Sequence, residues 1–512
     1  MNAKKTAFGR AIAGAGAIAL ALAGLLGGAT VASAADLEPG PGQEGAPETG
    51  SLTIHKRVGD QGEAGDGTKL ENAPGEKLND VEFTLWRLGT SDGGTCEPID
   101  LATFDGWEHV SKEAAPSSET ELGDKGFCIF GDPVTEVTAG EGEAEFKDLK
   151  LGLYYVKETK APANVTSPAA PFYVSVPLPY NTDTEGGWIY NVHVYPKNQE
   201  LDKPVKTINS DDEQPDKGLT VGSVVEWKIE QVIPKLNDGD TFTSASVWDK
   251  LTDALSYEET ISVKAGDTEL VVDEDYTVDA SGVEWTLTED GLKKLVPGEN
   301  LTVVFTTKVV KVTESGDIDN PGSDDPDNPG YGSEFNGGTT PGGPTPHTYW
   351  GQLQVKKIDD SKPARPLAGA EFKVFNNYDG TCPAEAPAEG AVATGTSDAQ
   401  GIVQWENVDP TNPLGLWVAN SEDGPLQNPF KFYCLYETKV PAGHSADPKG
   451  TAIEIKPGET QVKELDVVNP KKEGPNLPLT GAGGTLMLSV IGVGLAAAGV
   501  TLAVVSRRKR QA

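Results

Sequence analysis

The chain has 512 residues, with 42 Lys and Arg against 78 Asp and Glu, a formal charge of −36. That length allows roughly two to four domains of ~100–200 residues. So acidic a surface excludes nucleic acid and anionic lipid as partners, because both need a basic footprint. Sixty Gly and 37 Pro, well above the usual ~7% and ~5%, predict many turns and little long helix.

At the N-terminus, Lys4, Lys5 and Arg10 precede and enter an apolar stretch from Ala11 to Leu26, closed by Ala32-Ser33-Ala34. Charged, apolar and small-x-small parts in this order predict a secretory signal peptide over residues 1–34, outside the fold. Residues 36–50 are Pro/Gly/Glu-rich and read as a flexible lead-in. Alternation begins at Leu52-Thr53-Ile54-His55-Lys56 and returns in Val81–Trp86, Leu153–Val156 and Phe172–Val176. Short period-two segments divided by Gly, Pro, Asn and Asp predict an antiparallel sandwich over residues 35–198. It closes on Trp188-Ile189-Tyr190-Asn191-Val192-His193-Val194-Tyr195-Pro196-Lys197. Pro196 removes a backbone donor and marks a strand edge or end, which predicts an accessible Lys197.

The middle region, 199–348, has its own strands, such as Val224–Ile229 and Leu301–Phe305, and ends in a Gly/Pro/Asp stretch, 316–346, read as a long loop or linker. Asp324, Asp325 and Asp327 in that stretch have calcium-ligand chemistry, but a solvated acidic loop accounts for them. Residues 349–475 then repeat the first region. Leu353–Asp359 corresponds to the first strand, Cys434-Leu435-Tyr436-Glu437-Thr438-Lys439-Val440-Pro441 to Tyr155-Val156-Lys157-Glu158-Thr159-Lys160-Ala161-Pro162, and Val467-Val468-Asn469-Pro470 closes the copy. Two diverged copies of one sandwich type therefore flank the middle region. The end, 476–512, holds Leu477-Pro478-Leu479-Thr480-Gly481 and an uncharged run from Ala482 to Val505, long enough to span a bilayer as a transmembrane helix. Arg507, Arg508, Lys509 and Arg510 follow, which puts the C-terminus in the cytoplasm.

Export permits disulfides. Of the three pairings four cysteines allow, Cys96–Cys128 and Cys382–Cys434 each close a loop inside one candidate domain. Enzyme signatures are unconvincing. Gly89-Thr90-Ser91-Asp92-Gly93 fits a hydrolase pattern but lies in a Gly-rich loop, not at a strand-to-helix elbow. The five histidines have no metal-ligand spacing, and no metal or cofactor is expected.

Both flanking copies carry a lysine on the first strand, a glutamate in Glu-Thr-Lys and an asparagine on the last strand: Lys56, Glu158 and Asn198, then Lys357, Glu437 and Asn469. Lys56 shares a face with Leu52 and Ile54, and Lys357 with Leu353 and Val355, so each lysine points to the apolar side. An unpaired charge there is costly. Burial lowers a lysine's pKa, which frees the amine to attack, and keeps an acid protonated, able to donate to the Asn carbonyl.

The pattern resembles the CnaB-type domains of Gram-positive pilins, which implies intramolecular isopeptide bonds Lys56–Asn198 and Lys357–Asn469, promoted by Glu158 and Glu437. The middle region resembles the related CnaA-type domain, with Asp as the acid. That resemblance implies Asp249, Lys206 (with Lys203 close enough to compete) and Asn320 (with Asn336 as the alternative). The string at 188–197 matches the pilin motif WxxxVxVYPK, which implies that Lys197 attacks an acyl-enzyme on a pilin-specific sortase. The C-terminal pentapeptide, apolar span and basic tail resemble a cell-wall sorting signal, cut between Thr480 and Gly481.

Across nearly its whole length the chain resembles the shaft pilins of sortase-assembled Gram-positive pili, of SpaA/FimA type. The implied fold is all-β: tandem immunoglobulin-like sandwiches in CnaB–CnaA–CnaB order. The implied partners are pilin-specific and housekeeping sortases, identical subunits, a tip or minor pilin, and peptidoglycan, with the host or bacterial surface ligand unspecified. The implied location is a wall-anchored surface pilus, and the chain is a sortase substrate whose internal bonds form autocatalytically, not an enzyme. The alternative is a wall-anchored monomeric adhesin with the same stalk domains and no need of Lys197.

Overall fold

The structure, a computed structural model, describes residues 38–62, 65–92, 94–112, 122–181, 186–281, 283–320 and 330–472. The expected signal peptide, sorting pentapeptide with Thr480 and Gly481, membrane span, basic tail and the Asp324/Asp325/Asp327 cluster lie outside them. Among the described residues no helix is long and apolar enough to cross a membrane. The described residues form two compact units, one within 1–352, 415–431 and 455–462, the other within 353–414, 432–454 and from 463 onward.

In the first unit, the strand Thr49–His55 lies between Asn191–Val194, which is parallel to it, and Glu143–Lys150, which is antiparallel. A second sheet runs Phe172–Val176, Gly152–Lys160, Glu82–Asp92, Thr95–Pro98, with Phe127–Ile129 and Val134–Val137 also paired to Glu82–Asp92. Leu52, Ile54, Phe83, Leu85, Val156, Val174 and Val192 fill one core, as the period-two pattern requires. The Cys96–Cys128 disulfide forms as expected, with its Cα atoms 5.9 Å apart. The loop it closes holds the helix Phe104–Lys112, whose Trp107 packs on a satellite cluster of Leu88, Leu101 and Tyr155. A small sheet, Val165–Ser167, Lys197–Glu200, Arg57–Val58, Glu76–Lys77, continues the first and last strands past Lys56 and Pro196.

The middle sandwich pairs one sheet, Val205–Ile208, Val224–Val232, Asn300–Val309, Leu255–Ala265, Thr268–Glu269, with another, Tyr276–Asp279, Glu284–Leu287, Ala245–Asp249, Tyr331–Phe335, Gly338–Pro341. Trp227 and Trp285 are wholly buried. The expected loop over 316–346 is corrected here, because Asp317–Asp319 and the hairpin Tyr331–Phe335/Gly338–Pro341 are strands. Gly and Pro richness masked a short alternation in which Tyr331, Ser333 and Phe335 are all buried. The two-residue turn is Asn336-Gly337, both at positive φ, the dipeptide such hairpins favour.

In the second unit, the strands Val403–Trp405, Ala391–Ser397, Glu371–Asn377, Lys431–Lys439 and Thr451–Ile455 follow one another across a sheet. The strand carrying Lys357 pairs with the last strand, which carries Asn469. The Cys382–Cys434 disulfide also forms as expected. The architecture is all-β, in tandem sandwiches.

Candidate functional site

Among the described residues three lysines are wholly buried, and each meets one acid. Lys56 sits between Thr49–His55 and Arg57–Val58, where the first strand passes from one sheet to the other. Its Nζ lies 2.9 Å from Glu158 Oε2 and donates to Asn198 Oδ1 in a short contact. Asn198 is brought there by register, since Lys197–Glu200 runs parallel to Arg57–Val58 with Asn198 opposite Val58. Asn198 Nδ2 donates to Glu158 Oε1 at 2.6 Å, and the Ala169 N–H donates to Asn198 Oδ1 at 2.7 Å. Burial lowers the Lys56 pKa to about 8, against the opposing pull of Glu158.

In the middle sandwich Lys206 Nζ is 3.1 Å from both carboxylate oxygens of Asp249, at the end of Ala245–Asp249. Asn320, which directly follows Asp317–Asp319, donates from Nδ2 to Asp249 Oδ2 at 2.9 Å. Its Oδ1 is buried with no hydrogen-bond partner among the described residues. Burial lowers Lys206 to about 8 and raises the Asp249 carboxyl. The Tyr331 ring lies 4.2 Å from Lys206 Nζ, a face-on cation contact. The alternatives lie elsewhere. Lys203 is exposed, and Asn336 occupies the hairpin turn, where its Oδ1 accepts from the Thr243 N–H at 2.7 Å.

In the second unit Asn469 Nδ2 donates to Glu437 Oε1 at 2.7 Å. Lys357 Nζ stands farther off, 3.6 Å from Glu437 Oε2, and donates to the Val467 carbonyl at 2.9 Å. Burial lowers the Lys357 pKa and raises that of Glu437.

One expectation is reversed in all three trios. The acid does not donate to the Asn carbonyl; it accepts from the Asn amide nitrogen. It therefore bridges the nitrogen that would attack and the nitrogen that would leave. Such a bridge can take a proton from one and hand it to the other.

Lys197 corrects a second expectation. It is 7% exposed, not open to solvent. Its strand is no edge, because Val165–Ser167 flanks it on one side and Arg57–Val58 on the other. Lys197 Nζ donates to the Asp60 carbonyl at 2.7 Å, and Gln61 Nε2 donates to the Lys197 carbonyl at 2.8 Å. The Asp60 carboxylate in turn meets Lys235 of the middle sandwich at 2.9 Å. Sequence reasoning missed Ala169, Tyr331, Asp60 and Gln61, whose roles come from backbone position or from a loop with no motif.

Tandem sandwiches, each holding a buried lysine, acid and asparagine, are the architecture that the comparisons place. The Gram-positive pilin subunit D1 N-terminal domain matches residues 47–199. A fimbrial subunit type 2 of Actinomyces naeslundii is 31% identical over 98% of this chain and 97% of its own. A fimbrial subunit type 1 of Actinomyces viscosus is 30% identical over 90% and 91%. The full-length major pilin SpaD of Corynebacterium diphtheriae superposes with a TM-score of 0.61 at 27% identity, covering 83% of this chain and 98% of that one. The chain belongs to the fimbrial-subunit family of Gram-positive pilins. It is a structural subunit of a pilus.

Proposed function

We propose that the chain is polymerised covalently and locked internally by lysine–asparagine amides. Three domains at 35–198, 199–348 and 349–475 would each hold one bond: Lys56–Asn198, Lys206–Asn320 and Lys357–Asn469. The observation that carries the internal chemistry is the acid bridging lysine and amide nitrogen. In the first trio the Lys56 ammonium gives a proton to Glu158, and the neutral amine attacks Asn198 Cγ. Glu158 passes a proton to Nδ2 as the C–N bond breaks and recovers one from Nζ. Ammonia leaves, an amide joins the side chains, and Glu158 ends protonated. Asp249 and Glu437 act alike, with no external enzyme. Each bond makes the protein lighter by one ammonia, and intact mass reads the number formed.

Polymerisation rests on the motif ending at Lys197 and on Leu477–Gly481. A pilin-specific sortase would cut between Thr480 and Gly481, and Lys197 Nζ of another subunit would attack the Thr480 acyl-enzyme. The Asp60 carbonyl must release Lys197 Nζ before it can do so. A housekeeping sortase would then anchor the fibre to peptidoglycan, with a tip or minor pilin as further partner. Lys197→Ala should abolish the boiling-resistant high-mass ladder. A ladder that persists in that strain means the chain is not joined through Lys197, and a wall-anchored monomer with no ladder in the wild type means the adhesin alternative.

A further inference from the structure

We propose that the backbone N–H of Ala169 is the oxyanion donor for bond formation between Lys56 and Asn198, an inference that rests on the amide chemistry above. Two groups hold the Asn198 carbonyl oxygen: the Lys56 ammonium and the Ala169 N–H, the latter at 2.7 Å. The ammonium cannot serve in the transition state. It must surrender a proton to become nucleophilic, and its nitrogen then bonds to Cγ. As charge gathers on Oδ1, the Ala169 N–H is the donor that stays in place, in a dry site where such a hydrogen bond counts for most. Glu158 cannot substitute, since it is occupied with the two nitrogens.

The local chain explains why Ala169 points there. Val165–Ser167 pairs antiparallel with Lys197–Glu200, with Ser167 opposite Gln199, so the segment leaving at Pro168 passes alongside Asn198. Pro168 and Pro171 bracket Ala169 and Ala170, and their fixed φ angles hold the segment without a regular ladder. Ala169 is buried, so its N–H has no water to turn to. In the middle trio the equivalent oxygen, Asn320 Oδ1, has no hydrogen-bond partner among the described residues. The middle trio thus has no counterpart of this donor among the described residues.

The test replaces Ala169 by its α-hydroxy analogue, lactic acid, in the full extracellular chain. This exchanges the N–H for an ester oxygen and keeps the methyl group. Ala169→Gly, which keeps the N–H and removes the methyl, is the control. Each protein is assembled by ligation in denaturant, before any amide has formed, and is then folded for the first time while peptide mass spectrometry follows loss of ammonia at Lys56–Asn198 and Lys206–Asn320. We expect the ester to slow Lys56–Asn198 formation by roughly tenfold or more, with Lys206–Asn320 unchanged and Ala169→Gly close to the wild-type rate. An ester variant that forms its bond at the wild-type rate overturns the inference, as does an Ala169→Gly variant slowed as much as the ester. A wild-type protein that never loses ammonia at Lys56–Asn198 defeats the underlying amide chemistry instead, and is told apart by that result.

Discussion

The N-terminal trio and the C-terminal trio use the same three residue types, yet only half of their geometry agrees. The acid–amide contact is nearly identical, 2.6 Å for Asn198–Glu158 and 2.7 Å for Asn469–Glu437. The amine differs. Lys56 lies 2.9 Å from its acid and touches its asparagine, whereas Lys357 is 3.6 Å from its acid and is held by the Val467 carbonyl. An amide and a carboxylate find each other by complementary donors and acceptors. A lysine on a flexible stem goes wherever the local backbone offers an acceptor. For the proposed amide the residue triplet supplies the groups, and backbone detail sets how far the amine must travel.

Removing the acid is the strongest way to break this comparison. Glu158→Ala should abolish the Lys56–Asn198 bond and leave a buried ammonium without its counter-ion, a loss of about 3–5 kcal/mol beyond that of the cross-link. Glu437→Ala should cost less, because Lys357 keeps the Val467 carbonyl. Thermal melts and intact masses of the two variants test the order, and a larger loss for Glu437→Ala would reverse it.

Kinetics sharpen the same contrast. On first folding of the unlinked chain, ammonia loss at Lys56–Asn198 should precede that at Lys357–Asn469 by about tenfold, the equivalent of ~1.4 kcal/mol in barrier, since Lys357 must first leave Val467. Time-resolved peptide masses that show the C-terminal bond forming first would mean that amine placement does not control the rate.

The pH dependence follows from the shifted groups. The reactive pair, neutral lysine with protonated acid, binds as many protons as the ion pair, so the rate should not change with pH while the pair keeps its one shared proton. Above about pH 8, where Lys56 and Lys206 lose their proton, no proton remains for the departing nitrogen and the rate should fall. A rate that keeps rising to pH 10 would remove the acid from that role.

The smallest effect concerns the residue before each lysine. His55 is buried, bonded to His193 at 2.9 Å and paired with Glu143 at 3.0 Å, while the corresponding Lys356 is exposed. Burial lowers the His55 pKa to about 4, so the fold prefers the neutral ring. Stability is complete above the unfolded value near 6.5 and is lost as pH falls from there toward about 4. His55→Gln should flatten the acid side of the N-terminal sandwich's melting profile and leave the C-terminal one unchanged. An equal acid sensitivity in the variant would discharge His55 from this effect.

Much of this was legible in the residues alone. Alternation put Lys56 and Lys357 on the apolar face, because a side-chain period of two leaves no other choice once Leu52, Ile54, Leu353 and Val355 point inward. The repeated Glu-Thr-Lys segments marked Glu158 and Glu437, and one loop per cysteine pair was enough to fix both disulfides. Tertiary structure decided the rest. The hairpin at 331–341 was hidden because its Gly and Pro content resembles that of a linker, and only burial of Tyr331 and Phe335 makes it a strand pair. The accessibility of Lys197 was misjudged because Pro196 reports on its own backbone donor, not on Asp60 and Gln61 arriving from far along the chain. Ala169 had no signal at all, since a backbone N–H has the same chemistry in every residue but proline, and position alone makes it a donor. Acid excess, alternation and motif are properties of the chain and could be read from it. Which atom faces the Asn198 carbonyl depends on strand register and crossing loops, and folding alone brings those together.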